Sequence, residues 1–427
     1  RGINHKYIVV VEGNCNMKNV VMIHLESLNM SLLNGNREIF PNIWNAINKG
    51  KFYNNYWSNA TSTIMAMSDV MFGSIKNTEM SESLEHFKIQ NFEKTLPFEL
   101  KKKGMDCRCI MYPKYEWVYD SINTEKIFGK KANVSQFSSL QDFNNAIKQA
   151  INEMDGQLLY VYNWSSVCFN NQNGVRESNW KEFYKRIYGR IDDTVGIVIN
   201  ELIHSNKMKD TLLILFGDHG DEFYTYGEKN GFSHAIEPYP RLLHTPLVIC
   251  EADKGNGVDD KLVCSEDLMK IIYSYLGYKC EEINRAYVFA RNLFPMQKSN
   301  NLNKAFAVTD GQYLLMVSRK GLEMYCCMFE NQSVYNLLNC FSLHKNNKIE
   351  LINYKSNHYR RNIGDQKNTI ISEYSKLFVC LKKEIKRMGR KGYLGNNTYL
   401  DYWTKKIHYT NCSVGKRICR QLLKKWR

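Results

Sequence analysis

Four stretches of the sequence concentrate side chains able to ligate a metal or attack an electrophile. In NVVMIHLESLN, Glu26 directly follows an apolar run, which sets its carboxylate at the C-terminal edge of a strand; the plainer role is a helix N-terminal acid favoured by the macrodipole. In LLILFGDHGDEF, Asp218 and His219 stand between Gly217 and Gly220, so tight backbone turns are allowed on either side. A carboxylate oxygen beside an imidazole nitrogen suits Zn²⁺ or Mn²⁺ better than Ca²⁺ or Mg²⁺, although an Asp-His pair can also cap a following helix. In SNATSTIMAMSDVMFGS, Thr61, Ser62 and Thr63 precede an apolar helix that ends near Gly73. Such a hydroxyl is ordinarily an N-cap. It is also a candidate nucleophile, since a metal lowers its pKa and a helix N-terminus stabilises a phosphoryl group. The stretch GFSHAIEPYPRLLHTPLVI adds His234 and His244, of which His234 is the better candidate because it sits in a Gly/Ser-bounded loop shortly after the Asp-His pair.

The elements that must position these residues are legible from hydrophobic pattern. Asn19–Leu25, Leu158–Tyr162, Thr211–Phe216 and Pro246–Cys250 are short apolar runs of the kind buried on both faces of a parallel sheet. Helical patterns lie between them at Pro41–Lys49, Thr95–Lys103, Leu140–Glu153 and Trp180–His204, with Glu266–Leu276 after the last strand. Strands alternating with helices predict an α/β fold with a mostly parallel central sheet flanked by helices. Two of the polar stretches directly follow a strand, where open α/β sheets place their sites. From Ala305 the pattern changes to two or three antiparallel strands with a turn at Lys320–Gly321, and beyond Lys345 the chain is polar, basic and largely helical. The expected division is a catalytic α/β domain over 1–304, a small antiparallel sheet subdomain over 305–345, and a basic C-terminal extension over 346–427.

In this order and spacing the stretches resemble the sulfatase-like branch of the alkaline phosphatase superfamily, over roughly Asn19 to Cys340. PNIWNAINKGKFYNNYWSNATS is similar to that family's segment leading to the nucleophile, YGRIDDTVGIVINELI to its DD-x-VG helix, CSEDLMKIIYSYLGY to a later helix, and TDGQYLLMVSRKGLEMY to its terminal strands. Arylsulfatases carry Cys or Ser in C/S-x-P-x-R, later oxidised to formylglycine; Thr63-Ile64-Met65-Ala66-Met67 has neither Pro nor Arg, and Thr cannot be so oxidised. The set Glu, Thr, Asp, His instead looks like the lipoteichoic acid synthase and lipid A phosphoethanolamine transferase group. That resemblance implies one Zn²⁺ or Mn²⁺ held by Glu26, Thr63, Asp218 and His219, with Thr63 as a nucleophile that forms a phospho-threonine. Thr63 is preferred because it stands ten residues before Gly73, which resembles the sulfatase nucleophile-to-glycine spacing, and Thr61 is the alternative. Met111–Phe137 resembles the stretch that supplies a Trp and an Arg near the phosphate. Trp117 is retained, the Arg is replaced in the Val118-Tyr119-Asp120 region, and Lys114 is the candidate substitute charge. After Leu158–Tyr162, where relatives carry a His, this chain has Asn163-Trp164-Ser165-Ser166.

The chain has 427 residues, enough for a large core without disulfide or metal staples, and a formal net charge of +15 that favours an anionic partner. GKRICRQLLKKWR, with Ile418, Leu422 and Trp426 among Lys and Arg, reads either as a helix lying on an anionic membrane surface or as one docking on the catalytic domain. No recognition motif accompanies the charge, so nucleic acid is not expected as a partner. The 13 cysteines are odd in number and without a CxxC pair, which fits thiols in a reducing compartment. With no run of about 18 apolar residues, the expected location is cytoplasmic and peripherally membrane-associated. The alternative is export or an anchor upstream of Arg1. The expected activity is metal-dependent transfer of a substituted phosphoryl group, of phosphoglycerol or phosphoethanolamine type, from a phospholipid or other phosphodiester donor to a glycan or lipid-linked glycan. His234 would act as the base toward the acceptor. The alternatives are a phosphodiesterase or sulfatase-type hydrolase using the same site, and a non-catalytic binding module.

Overall fold

The computed structural model describes residues 18–75, 78–80, 87–89, 91–114, 124–129, 133–165, 178–223, 234–252, 254–292, 305–318, 321–327, 339–343, 349–353 and 367–390. Its centre is an eight-stranded sheet. The strands are β1 (Asn19–Leu25), β2 (Lys51–Tyr53), β3 (Asp106–Tyr112), β4 (Val134–Gln136), β5 (Gln157–Asn163), β6 (Thr211–Gly217), β7 (Leu247–Cys250) and β8 (Gly257–Asp259), in the order β8-β2-β7-β6-β1-β5-β3-β4. β1 lies between β5 and β6 and is parallel to both, and β3 and β4 extend the parallel part. β7 departs from the expected direction: it runs antiparallel to β6 and to β2. An apolar tetrad reads the same in either direction, so its composition carried no directional signal.

Both faces of the sheet are covered, which is why β1, β5 and β6 are apolar at nearly every position. On one face α1 (Pro41–Lys49), α4 (Leu140–Glu153) and α5 (Trp180–His204) pack on Val21, Ile23, Leu159 and Leu213. On the other, α2 (Thr63–Phe72), α3 (Leu96–Lys101) and α6 (Leu268–Tyr275) pack on Val20, Met22, Leu158 and Leu212. Two segments noted in the sequence meet directly: the Asp192 carboxylate in α5 accepts from the main-chain N–H groups of Asn42 and Ile43 at 3.0 and 2.8 Å, satisfying the first turn of α1. Gly196 admits this contact, because a Cβ there would stand 2.7 Å from the Asn42 side chain.

The second sheet is larger than expected and starts earlier. It is six-stranded and antiparallel, with β9 (Val288–Asn292), β10 (Ala305–Thr309), β11 (Tyr313–Ser318), β12 (Gly321–Cys326), β13 (Asn339–Leu343) and β14 (Ile349–Asn353) in sequential order. β9 precedes the expected boundary at 305 and β14 lies beyond 345. The helix α7 (Lys367–Arg390) packs against β10 and β11 through Leu377, Phe378, Leu381, Ile385 and Met388. Residues 391–427, with the basic run around Ile418, Leu422 and Trp426, lie outside the described residues. Among the described residues no helix is long and apolar enough to cross a membrane.

Candidate active site

Glu26 is the first residue past β1 and Asp218 the first past β6, and the register Leu25↔Gly217 makes the two lateral neighbours at the C-terminal rim of the sheet. His219 follows, and Gly220 then lets the chain pass between neighbours: a Cβ there would stand 2.4 Å from the Arg241 carbonyl oxygen and 2.7 Å from Asn29 Cβ. The helix α2 presents its first residue to this rim. Thr63 Oγ1 donates to Glu26 Oε1 at 3.0 Å and lies 3.0 Å from His219 Nε2. His219 Nε2 is in turn 3.3 Å from Asp218 Oδ2 and 3.8 Å from Glu26 Oε1. Glu26, Thr63, Asp218 and His219 thus form one cluster.

The hydroxyls of the Thr61-Ser62-Thr63 run have different surroundings. Thr61 is buried and its Oγ1 donates to the Ile236 carbonyl at 3.1 Å, away from the carboxylates. Ser62 occupies the N-cap position but makes no side-chain capping bond. Thr63 stands inside the helix at its first turn, half-buried, with its hydroxyl in the cluster instead of on the backbone. His234 lies beside it: its ring is 4.7 Å from that of His219, centroid to centroid, and its Nδ1 is 2.9 Å from Asp221 Oδ1. His244 is elsewhere, buried against Trp57 with Nε2 2.9 Å from the Asn54 carbonyl oxygen. Lys114 is exposed just past the end of β3, and Trp117 lies outside the described residues, as do Val118, Tyr119 and Asp120. Asn163, at the position where the resemblance would place a His, is spent on structure: its amide donates to Thr194 Oγ1 at 2.8 Å and its Oδ1 accepts from Ser165.

Burial and the neighbouring Asp218 raise the Glu26 pKa well above the usual carboxylate range, against the hydroxyls of Tyr162 and Thr63 that hydrogen-bond to it. Burial acts on Asp218 in the same sense, but the imidazoles of His219 and His24 and the Ser27 N–H outweigh it and hold this carboxyl below its ordinary value. His219 is lowered by burial against the pull of Asp218. Its Nδ1 lies 3.1 Å from the Gly220 carbonyl oxygen, which can only accept, so Nδ1 carries the proton and Nε2 presents a lone pair to the cluster.

Three partners were not singled out in the sequence. Tyr162 donates to Glu26 Oε2 at 2.8 Å, Asp221 holds His234, and His24 Nε2 lies 3.1 Å from Asp218 Oδ2. His24 had a signal: it stands two residues before Glu26, so the strand period puts both on one face. One donor atom from each of His24, Glu26 and Asp218 falls within a 4.8 Å group, and all three residues are buried. His24 Nε2 and Asp218 Oδ2 have no hydrogen-bond partner, an arrangement that is costly unless a cation completes it. The oxygen and imidazole donors fit a divalent metal of the Zn²⁺ or Mn²⁺ kind.

A family model described as Sulfatase matches residues 18–278, more than half of the chain. No curated protein matches the sequence. Among solved structures, a protein of the alkaline phosphatase superfamily from Vibrio parahaemolyticus is similar at 14% identity and TM-score 0.53, covering 78% of this chain and 84% of that one. Phosphonate monoester hydrolase from Silicibacter pomeroyi is similar at 12% identity and TM-score 0.57, covering 88% and 96%. A protein of glycosaminoglycan metabolism from Bacteroides thetaiotaomicron is similar at 11% identity and TM-score 0.59, covering 92% and 99%. At these identities the likeness is one of fold.

Proposed function

The chain belongs to the sulfatase family and is an enzyme of sulfatase-like type, and from that premise we propose that it is a metal-dependent transferase of a substituted phosphoryl group. The donor is a phospholipid or other phosphodiester of phosphoglycerol or phosphoethanolamine type, and the acceptor is a glycan or lipid-linked glycan. The observation that carries this reading is Thr63 Oγ1 at the start of α2, within 3.0 Å of both Glu26 Oε1 and His219 Nε2. That hydroxyl caps nothing and stands where helix N–H groups favour an anionic phosphoryl group.

Glu26, Thr63, Asp218 and His219 would hold Zn²⁺ or Mn²⁺, and Ca²⁺ or Mg²⁺ suit this donor set less well. Such an ion supplies Lewis acidity toward a phosphoryl oxygen and lowers the pKa of the threonine hydroxyl. Thr63 Oγ1 attacks phosphorus and passes its proton to Glu26, to which it already donates. The bond from phosphorus to the leaving oxygen breaks, and that oxygen takes a proton from His234. In the second half the acceptor hydroxyl gives its proton to His234 and attacks the phospho-threonine, and Thr63 recovers its own proton. Asp221 keeps the His234 ring oriented for both transfers. Trp117 and Lys114 are proposed contacts to the donor.

We place the enzyme on the cytoplasmic face of an anionic membrane, held by the basic run near Ile418, Leu422 and Trp426. The free thiols of Cys107, Cys109, Cys250, Cys264, Cys280 and Cys380 support a reducing compartment. Hydrolysis at the same site is the second reading, favoured by the family match. The test offers vesicles of phosphatidylglycerol or phosphatidylethanolamine with and without a glycan acceptor, using metal-loaded protein. A substituted phosphoryl group on the Thr63 peptide by mass spectrometry, and product only with acceptor, is the expected result; free glycerophosphate or phosphoethanolamine without acceptor would establish hydrolysis. Thr63→Ala should abolish both, and full turnover by it would exclude the covalent route.

A further inference from the structure

The ring of His24 is fixed on three sides. In register its neighbours are Tyr162 on β5 and Phe216 on β6, and its ring stacks on both, at centroid distances of 4.3 and 5.3 Å. Tyr160, two residues back on β5, places its hydroxyl 2.8 Å from Nδ1. The remaining edge, Nε2, faces the carboxylates: Asp218 Oδ2 at 3.1 Å and Glu26 Oε2 at 3.4 Å. The whole residue is buried.

A protonated Nε2 at these distances would be expected to donate to one carboxylate. Yet neither His24 Nε2 nor Asp218 Oδ2 has a hydrogen-bond partner, so the N–H direction of the ring does not point at the oxygen beside it. Two buried donor atoms close together but not aimed at each other are what a shared cation requires. Ligand atoms sharing one ion with bonds of about 2.0–2.1 Å stand roughly 3 Å apart. The contacts of Asp218 Oδ2 with His24 Nε2 at 3.1 Å and with His219 Nε2 at 3.3 Å fall at that spacing.

We infer that His24 is a further metal ligand of this site, through Nε2, and that Tyr160 is the residue that positions it. Resting on the metal-site reading above, this adds a second imidazole to the donor set of Glu26, Asp218, His219 and Thr63. Nδ1 of His24 then carries the ring proton and donates it to the Tyr160 oxygen, which fixes the tautomer in which Nε2 offers its lone pair. A second imidazole moves the preference of the site further toward Zn²⁺, Co²⁺ or Mn²⁺ and away from Mg²⁺ and Ca²⁺.

Cobalt tests this without turnover. The full-length protein is loaded with Co²⁺ alone, and its hyperfine-shifted proton NMR spectrum is recorded in H₂O. Two exchangeable imidazole N–H resonances, from His24 and His219, are expected in the wild type and one in His24→Gln. A companion variant, Tyr160→Phe, keeps the ring stack and removes the hydroxyl; its Zn²⁺ affinity, measured by chelator competition, should fall roughly 10–100-fold. A single shifted N–H in wild-type protein with stoichiometric Co²⁺ overturns the assignment of His24 while leaving the metal site standing, and it decides the matter even if His24→Gln does not fold. Zn²⁺ affinity unchanged in Tyr160→Phe overturns the positioning role. Protein that takes up no Co²⁺ or Zn²⁺ overturns this inference and the metal-dependent reading together.

Discussion

His234 is half-buried, and its Nδ1 is tied to Asp221 Oδ1, itself nearly buried, at 2.9 Å. A carboxylate can only accept, so the pair fixes the proton on Nδ1; in the proposed mechanism it would leave Nε2 for the substrate and stabilise the imidazolium that the first half-reaction uses and the second restores. Asp221→Asn keeps the shape but can donate, which turns the ring toward the wrong tautomer. The expected outcome is a fall in kcat of about 10²–10⁴-fold, with KM for the donor nearly unchanged. Steady-state kinetics of the variant check this, and an unchanged kcat would remove Asp221 from the proposed mechanism. At this scale the sequence carried Glu26, Asp218 and His219, because polar residues directly after apolar strands stand out. For His24 the two-residue spacing from Glu26 was the whole signal, and one imidazole inside NVVMIHL otherwise looks like an interruption of the core until β5 and β6 supply Tyr162 and Phe216 as flanking rings.

Thr63 is useful only if α2 is held still, and the device that holds it is a buried ion pair. Arg291, on β9, makes two bonds to the Asp69 carboxylate, at 2.5 and 2.9 Å, and a third to the Asn59 carbonyl at 3.1 Å, just before the Thr61-Ser62-Thr63 run. Burial pushes Asp69 up to about 7 against the pull of the guanidinium, so the carboxylate depends on its partner. Removing one member of a buried pair leaves an uncompensated charge, and Arg291→Met should therefore cost about 3–5 kcal/mol, while the Asp69→Leu/Arg291→Met double variant recovers most of it. Urea denaturation of the two variants checks this; equal losses would show that the pair contributes packing and not charge balance. No spacing in the sequence links residues 69 and 291. β1, β5 and β6 were legible because burial on both faces makes them continuous apolar runs. β3 was not: in DCRCIMY, Asp106 and Arg108 are exposed at its start and break the run.

On the scale of the molecule, two large sheets share one chain, and stability should report both. His244, just before β7, is buried against Trp57, and burial lowers its pKa to about 4 against the bond to the Asn54 carbonyl. The unfolded value is near 6.5, so the folded state prefers the neutral ring; its contribution is complete above about pH 6.5 and is lost as pH falls toward 4, up to about 3 kcal/mol. Unfolding free energy measured between pH 4 and 6.5 should rise with pH, and His244→Gln should flatten that slope by about one proton. The C-terminal helix poses the remaining question of which basic run serves the fold. A basic amphipathic helix has one apolar stripe, and it can be given to a membrane or to the protein but not to both. In α7 it is given to β10 and β11, with Leu381, Ile385 and Met388 buried, Tyr287 donating to Glu384 at 2.9 Å, and Lys383 and Lys386 exposed. Leu381→Ala should accordingly lower unfolding free energy by about 2–5 kcal/mol. Thermal or urea unfolding showing a smaller loss than a surface substitution gives would mean that the stripe is dispensable to the fold. If the loss is found, membrane attraction by α7 is confined to its exposed lysines, and any apolar insertion falls to the run containing Ile418, Leu422 and Trp426.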